Sequence, residues 1–251
     1  MTLEQFFHEH PKAALAFSGG VDSAWLLWAG LRAGAEVRPC FIKTPFQPRF
    51  ELEDAYKLCD QLDVDLIVLD CDILADETVA ANPPDRCYHC KRRMFSRLKH
   101  YAASEGFSLL LDGTNASDIV EDRPGMRALG ELAVRSPLRE CGLTKDRIRE
   151  LSRQAGLFTW DKPSYACLAT RVPTGRTITR ADLERVERGE QALAALGFWD
   201  FRLRLTVGGA KLQVPEGQLP LALERRTEIL SALETDFSEI TLDLRPRVSI
   251  D

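Results

Sequence analysis

A chain of 251 residues, 45% of them hydrophobic, can bury one large core or one core beside a small second domain. A net charge of −5 argues against broad nucleic-acid binding, and no apolar run reaches the ~18–20 residues that span a bilayer. The acidic, interrupted start MTLEQFFHEHPK is not expected to act as a secretory leader. Seven cysteines, an odd number, fit reduced thiols in a cytoplasmic protein.

Residues 13–17 (AALAF) are predicted to form a buried strand and residues 23–33 a helix. EVRPCFI at 36–42 is a second strand, whose proline suggests an edge or a bulge. A helix over 50–62 follows, then strands at 65–70 (DLIVLD) and 108–112 (SLLLD), and a helix over 144–156 stopped by Gly156. Short apolar strands alternating with helices predict an α/β fold with a doubly wound parallel sheet. After residue 160 the character changes. WDKPSYACLATRVPTGRTIT is a loop, followed by a helix over 180–196, a hairpin turned at Gly208-Gly209, a helix over about 217–233 and a strand at 239–244. This is a small α+β second domain. The division expected is 1–165 and 166–251, with the cysteine-bearing loop 160–180 at the junction.

Between the first strand and helix stands Ser18-Gly19-Gly20-Val21-Asp22-Ser23. A glycine-rich strand-to-helix turn presents free N–H groups at a helix N-terminus, which makes an anion site. The lysine of GxxxxGK[ST] is absent and the spacing is wrong for GxGxxG. Asp22 would repel a phosphate unless a Mg²⁺ ion lies between them. An ordinary turn capped by serine and aspartate is the competing reading. The six residues resemble the SGGxDS loop of the PP-loop ATPases, and LLLDGTNASD (109–118) is similar to their Gly-Thr-Asn segment. That resemblance implies ATP cleaved between the α and β phosphates, an adenylated substrate and released pyrophosphate. Ser18, Gly19, Gly20, Asp22 and Ser23 would then hold pyrophosphate and Mg²⁺, with Gly113, Thr114 and Asn115 beside the nucleotide.

Cys40, Cys59 and Cys71 lie in or beside apolar runs and read as inert core thiols. Cys87 and Cys90 differ. Asp85 is a good N-cap, so the two thiols fall at i and i+3 in a helix's first turn, with Met94, Leu98 and Tyr101 continuing their face. Such a pair suits a redox disulfide, a zinc site or an iron–sulfur cluster. Cys167, in a Pro/Gly loop four residues before Arg171, is the best third thiolate; Cys141 is a weaker one.

The whole chain resembles the LarE family of PP-loop sulfur transferases, through AFSGGVDS, LDGTNASDIVEDRPG, ACLATRVPTGRTIT and the FRLRL strand. The resemblance implies synthesis of the nickel-pincer nucleotide of lactate racemase. Its substrate is pyridinium-3,5-biscarboxylic acid mononucleotide, of which one carboxylate is adenylated and becomes a thiocarboxylate. Members with one loop cysteine give up that sulfur. Members with three are thought to bind a [4Fe-4S] cluster that carries a hydrosulfide. Cys87, Cys90 and Cys167 place this chain in the second group.

By the same resemblance Arg202 and Arg204, alternating on one strand, bind the substrate's phosphate, and Glu190 and Glu131 match acidic active-site positions. Arg171 is a phosphate candidate by its chemistry; Arg123 matches a shared loop motif. Sulfide or another sulfur donor and a homo-oligomeric state, trimer or hexamer, are expected. No nucleic acid or membrane partner is. The alternatives are sacrificial transfer from Cys167, another PP-loop enzyme such as an amide synthetase or a tRNA thiolase, and a non-catalytic zinc or nucleotide sensor.

Overall fold

The computed structural model describes residues 1–118 and 124–248. Arg123 lies outside the described residues. The chain forms two compact units, Met1–Ile73 with Asp85–Lys162, and Leu74–Pro84 with Pro163–Asp251. Residues 74–84, read from sequence as part of the first domain, thus belong to the second unit.

The first unit runs α1 (Leu3–Glu9), β1 (Lys12–Ala16), α2 (Val21–Arg32), β2 (Glu36–Lys43), α3 (Arg49–Gln61) and β3 (Ile67–Asp70). Between β3 and its next helix the chain passes through α4 (Glu77–Ala80) of the second unit. It returns as α5 (Arg86–Ser104), β4 (Leu110–Leu111), α6 (Pro124–Glu131), α7 (Pro137–Glu140) and α8 (Lys145–Gln154). The four strands are parallel in the order β3-β2-β1-β4. Alternation divides their side chains between two apolar layers: Leu15, Val37 and Phe41 pack with Leu26 and Leu27 of α2, whereas Ala14 and Cys40 pack with Phe95 and Leu98 of α5. The sheet is doubly wound, as expected. Its order reverses between β1 and β4, where such sheets open a crevice at the strands' carboxyl ends.

Pro39 does not mark an edge, because β2 lies between β1 and β3. Glu36 N–H bonds Pro11 O and Cys40 O accepts from Phe17 N–H, so even-numbered groups of β2 serve β1. The nitrogen of Pro39 faces the other side, where the β3 ladder begins only at Cys40 paired with Ile67. The sheet needs no donor there.

In the second unit α9 (Arg180–Ala195) covers a sheet of β5 (Arg202–Leu205), β6 (Gly209–Gln213) and β7 (Glu239–Leu242). β5 and β6 form the expected hairpin, and β7 runs parallel to β6. The helix expected over 217–233 is two, α10 (Leu219–Glu224) and α11 (Arg226–Leu233), because Arg225 leaves helical geometry at φ −93° and ψ 23°. Residues 74–84 join this unit through Asn82, whose Nδ2 donates to Pro173 O at 2.8 Å and whose carbonyl accepts from Gly175 N–H.

Candidate functional site

The turn after β1 is left open for a ligand. Gly20 is the N-cap of α2, and no side chain caps it. Ser23 Oγ turns back to Gly20 O at 3.1 Å and meets Ser18 Oγ at 3.2 Å. Asp22 also turns away. Its Oδ1 accepts from Asn115 Nδ2 at 3.1 Å and its Oδ2 pairs with Lys145 Nζ at 2.6 Å. The first amides of α2 therefore lack the side-chain caps that an ordinary turn would supply. Gly19 takes φ +70°, and a Cβ there would meet Ala55 N at 3.0 Å. That position requires glycine both for its backbone and for its contact with α3.

The loop after β4 closes the other side of the crevice. A Cβ on Gly113 would lie 3.1 Å from Ser23 N and 3.3 Å from Asp22 Cβ, so its bare backbone lets the two loops meet. Asp112 is buried and accepts from Thr114 Oγ1 and Ser136 Oγ, both at 2.6 Å. Asn115 Oδ1 accepts from Ser117 N–H, which aims its amide at Asp22. These loops line a cleft of about 470 Å³ with Cys87, Lys91 and Phe95 of α5 and Gly125 of α6.

Ser18, Asp22, Ser23, Gly113 and Thr114, named from sequence, line this cleft; Gly19, Gly20 and Asn115 shape its loops. Sequence reasoning missed Lys145 and Ser136, and did not bring Lys91, noted only as a cation near the cysteine pair, or Asp112 to this cleft. Asp22 and Asp118 on the cleft wall suit a Mg²⁺ ion, which takes one or two protein carboxylates and completes its shell with phosphate oxygens and water. Lys145 is the cation that Asp22 holds in this structure.

Cys87 is exposed on the cleft wall, and Cys90, one turn on, is buried. Asp85 stands at the N-cap position of α5 but caps nothing with its side chain, which instead meets His89 at 3.2 Å. The two thiols fit part of a thiolate ligand set. Cys167 belongs to the second unit, and among the described residues no group of three His, Cys, Asp or Glu side chains gathers as a metal site. Burial pushes the Cys40 and Cys59 thiols up to about 12, in keeping with their reading as inert. Glu131 does not reach the cleft. It is half-exposed on α6, where it accepts from Tyr88 Oη at 2.8 Å and pairs with Arg127 at 3.7 Å, tying α6 to α5.

In the second unit the surroundings of Cys167 are organised by a buried ion pair. Arg171 is enclosed, and its Nε and Nη2 fork onto Glu190 at 2.8 and 3.1 Å. Its Nη1 donates to Ala166 O and Thr170 Oγ1, the residues on either side of Cys167 and Leu168–Ala169. Burial, the largest single influence, works against its charge, but the charge and hydrogen bond of Glu190 with the added pull of Tyr165 and Cys167 together hold the guanidinium above its ordinary value. The phosphate role expected for Arg171 is corrected: four of its hydrogen bonds go to the protein, and it wraps the Cys167 loop. Glu190 is no exposed helix glutamate. It also accepts from Tyr165 Oη and from Leu203 N–H at 3.0 Å.

Arg202 and Arg204 are committed less fully. Arg202 is buried, donates to the carbonyls of Phe201 and Ser164, and faces the Tyr165 ring at 5.2 Å. Burial, then the charges of Arg171 and Arg247, push it down to about 10. Arg204 is exposed, binds Gln213 Oε1 and Thr170 O, and is lowered by the same causes in the same order. Burial and mutual repulsion disfavour the charged forms of these crowded arginines, so an anion between them is favoured.

A parallel doubly wound sheet with an uncapped SGGVDS turn at its switch point defines an α/β protein with a PP-loop ATPase-like domain. No family model matches the chain. It is 33% identical to an uncharacterized protein of Synechocystis sp. over 96% of its length and 92% of that protein's. It is 30% identical to the pyridinium-3,5-bisthiocarboxylic acid mononucleotide synthase of Lactiplantibacillus plantarum, over 97% of this chain and 89% of that one. An uncharacterized protein of Methanocaldococcus jannaschii is 28% identical over 94% and 90%. The chain belongs to the LarE family. No helix among its described residues is long and apolar enough to cross a membrane.

Proposed function

We propose that the protein is a cytoplasmic, homo-oligomeric, ATP-dependent sulfur transferase that turns a carboxylate of pyridinium-3,5-biscarboxylic acid mononucleotide into a thiocarboxylate. The observation that carries this reading is the Cys87 thiol on the wall of the cleft formed by the uncapped SGGVDS turn. On this reading a loop for the nucleotide and a thiol for the sulfur chemistry line one cavity. The name of the relative from Lactiplantibacillus plantarum states the bisthiocarboxylic acid mononucleotide as that protein's product, and the biscarboxylic acid substrate is inferred from it.

The first unit would bind ATP. The amides of Gly20, Val21 and Asp22, with the hydroxyls of Ser18 and Ser23, would hold the β,γ-pyrophosphate. Asp22 would take Mg²⁺. The substrate carboxylate attacks the α-phosphorus, the α–β bond breaks and pyrophosphate leaves with the electron pair. Hydrosulfide then adds to the acyl carbon, the bond to AMP breaks, and a proton is released with the thiocarboxylate. Arg202 and Arg204 of the second unit would hold the substrate's phosphate, and Arg171 with Glu190 would fix the loop that presents Cys167. Cys87, Cys90 and Cys167 would hold a [4Fe-4S] cluster, which supplies the sulfur atom for more than one turnover.

The test uses protein purified and reconstituted without oxygen. Iron and acid-labile sulfide are measured per chain in the wild type and in Cys90→Ala, and thiocarboxylate is counted with ATP and excess sulfide. The expected result is about four irons per chain, lost in the variant, and more than one product per wild-type chain. A wild type without iron that makes at most one product per chain and loses about 34 Da at Cys167 overturns the cluster reading in favour of sacrificial transfer.

A further inference from the structure

The second unit contains a carboxylate whose position the reaction above does not explain. Asp200, just before β5, is buried and takes φ +48°, in the left-handed region that few residues other than glycine, asparagine and aspartate adopt. This backbone turns its side chain into the arginine cluster. One oxygen, Asp200 Oδ1, lies 2.5 Å from Arg247 Nη1 and 3.9 Å from Arg202 Nη1. Arg247 reaches that place because the segment after β7 folds back, its N–H bonding Val214 O at 2.8 Å and its Nη1 also bonding Asp200 O. Asp200 Oδ1 therefore stands between two guanidinium groups from distant parts of the chain, where a single phosphate oxygen would fit as well.

The charges are unequal around it. Glu190 is spent on Arg171, and Asp200 holds Arg247 closely but Arg202 only at long range. Burial and the mutual repulsion of these arginines depress the charged form of Arg202 and Arg204. A phosphomonoester dianion offers three oxygens and more charge than one carboxylate, so it can outbid Asp200 for both guanidinium groups. A neutral or singly charged group gains less from the exchange.

We propose that Asp200 is an internal counter-anion that a phosphomonoester dianion displaces, and that Arg247, so released, becomes the third arm of the phosphate site beside Arg202 and Arg204. The inference rests on the reading of Arg202 and Arg204 as phosphate ligands. Asp200 then sets selectivity: it keeps weak anions out and yields to a mononucleotide. Arg247 touches the substrate in this arrangement, whereas Asp200 acts by opposing it.

Equilibrium binding by calorimetry tests this, with inorganic phosphate, pyridinium-3,5-biscarboxylic acid mononucleotide and its dephosphorylated nucleoside as probes. Asn tolerates the same backbone, so Asp200→Asn removes the charge and keeps the turn. It is expected to tighten inorganic phosphate by about 3–10-fold. Arg247→Gln should weaken the mononucleotide by about 10-fold or more and leave the nucleoside unchanged, with part of the loss restored in Arg247→Lys. Thermal unfolding of each variant separates misfolding from lost contact. Unchanged or weaker phosphate binding in Asp200→Asn, or equal losses for mononucleotide and nucleoside in a folded Arg247→Gln, overturns the inference. Arg202→Ala reads the parent site separately. If it removes the preference for the phosphorylated ligand while Arg247→Gln does not, the site stands and this inference falls. If neither variant alters that preference, both fall.

Discussion

Lys145 stands 123 positions from Asp22 in the chain and 2.6 Å from it in the fold. Nothing local in LTKDR announces that contact; it exists because α8 packs beside α2, and both N-termini open on the same loops. An ammonium beside the phosphate loop would offset the charge of Asp22 and of the departing pyrophosphate. Lys145→Met is therefore expected to lower AMP formation about 100-fold, with partial recovery in Lys145→Arg, as read by pyrophosphate release. Unchanged release would remove Lys145 from the site. Arg171 shows the opposite failure of sequence reading. Its type and its place near Cys167 were legible, and phosphate binding was the natural expectation. Its burial was not legible, because Glu190 approaches from a helix 19 positions away.

At the scale of elements, the SGGVDS turn and the GTN segment were legible because glycine, serine and asparagine have few other reasons to follow a buried strand. Their meeting was not, since it depends on strand order. It rests on Gly113, where any side chain would press on Ser23 and Asp22. Gly113→Ala should push α2 from β4, weakening ATP binding about 10-fold or more and costing about 1–3 kcal/mol of stability. Gly130→Ala, on the open face of α6, is the control. It should hold or slightly raise stability, since alanine favours helix. Calorimetric ATP binding and urea unfolding of the two variants check this, and equal behaviour would refute the close approach. The same limit explains Pro39. Composition signalled a strand that cannot donate at one position, but only the register shows that β3 begins beyond it.

Across the whole molecule the seven cysteines sort by burial and not by spacing. Iodoacetamide on the folded, cluster-free protein should modify Cys87 first and Cys141 and Cys167 more slowly. Cys40, Cys59, Cys71 and Cys90 should react only after unfolding, as peptide mass spectrometry would record. Modification of Cys40 or Cys59 at the rate of Cys87 would contradict the packing of the first unit. The α/β class, the parallel sheet and the hairpin were readable from periodicity. The route of the chain between units was not, because the Pro83-Pro84 pair marks a break before α5 without telling which unit the residues ahead of it join.

That route has a consequence for how the protein is made. The polypeptide leaves its first unit after Ile73, contributes a short piece to the second, and returns at Asp85. On a ribosome, Asn82 emerges about 90 residues before the Val172–Pro173 carbonyls that will receive its amide. The piece must wait for those partners while β4 and α8 of the first unit are still being made. A protease cut at the 162–163 boundary would likewise yield no independent second domain. It would release a fragment lacking the strap that closes over residues 172–178, and leave that strap attached to the other half.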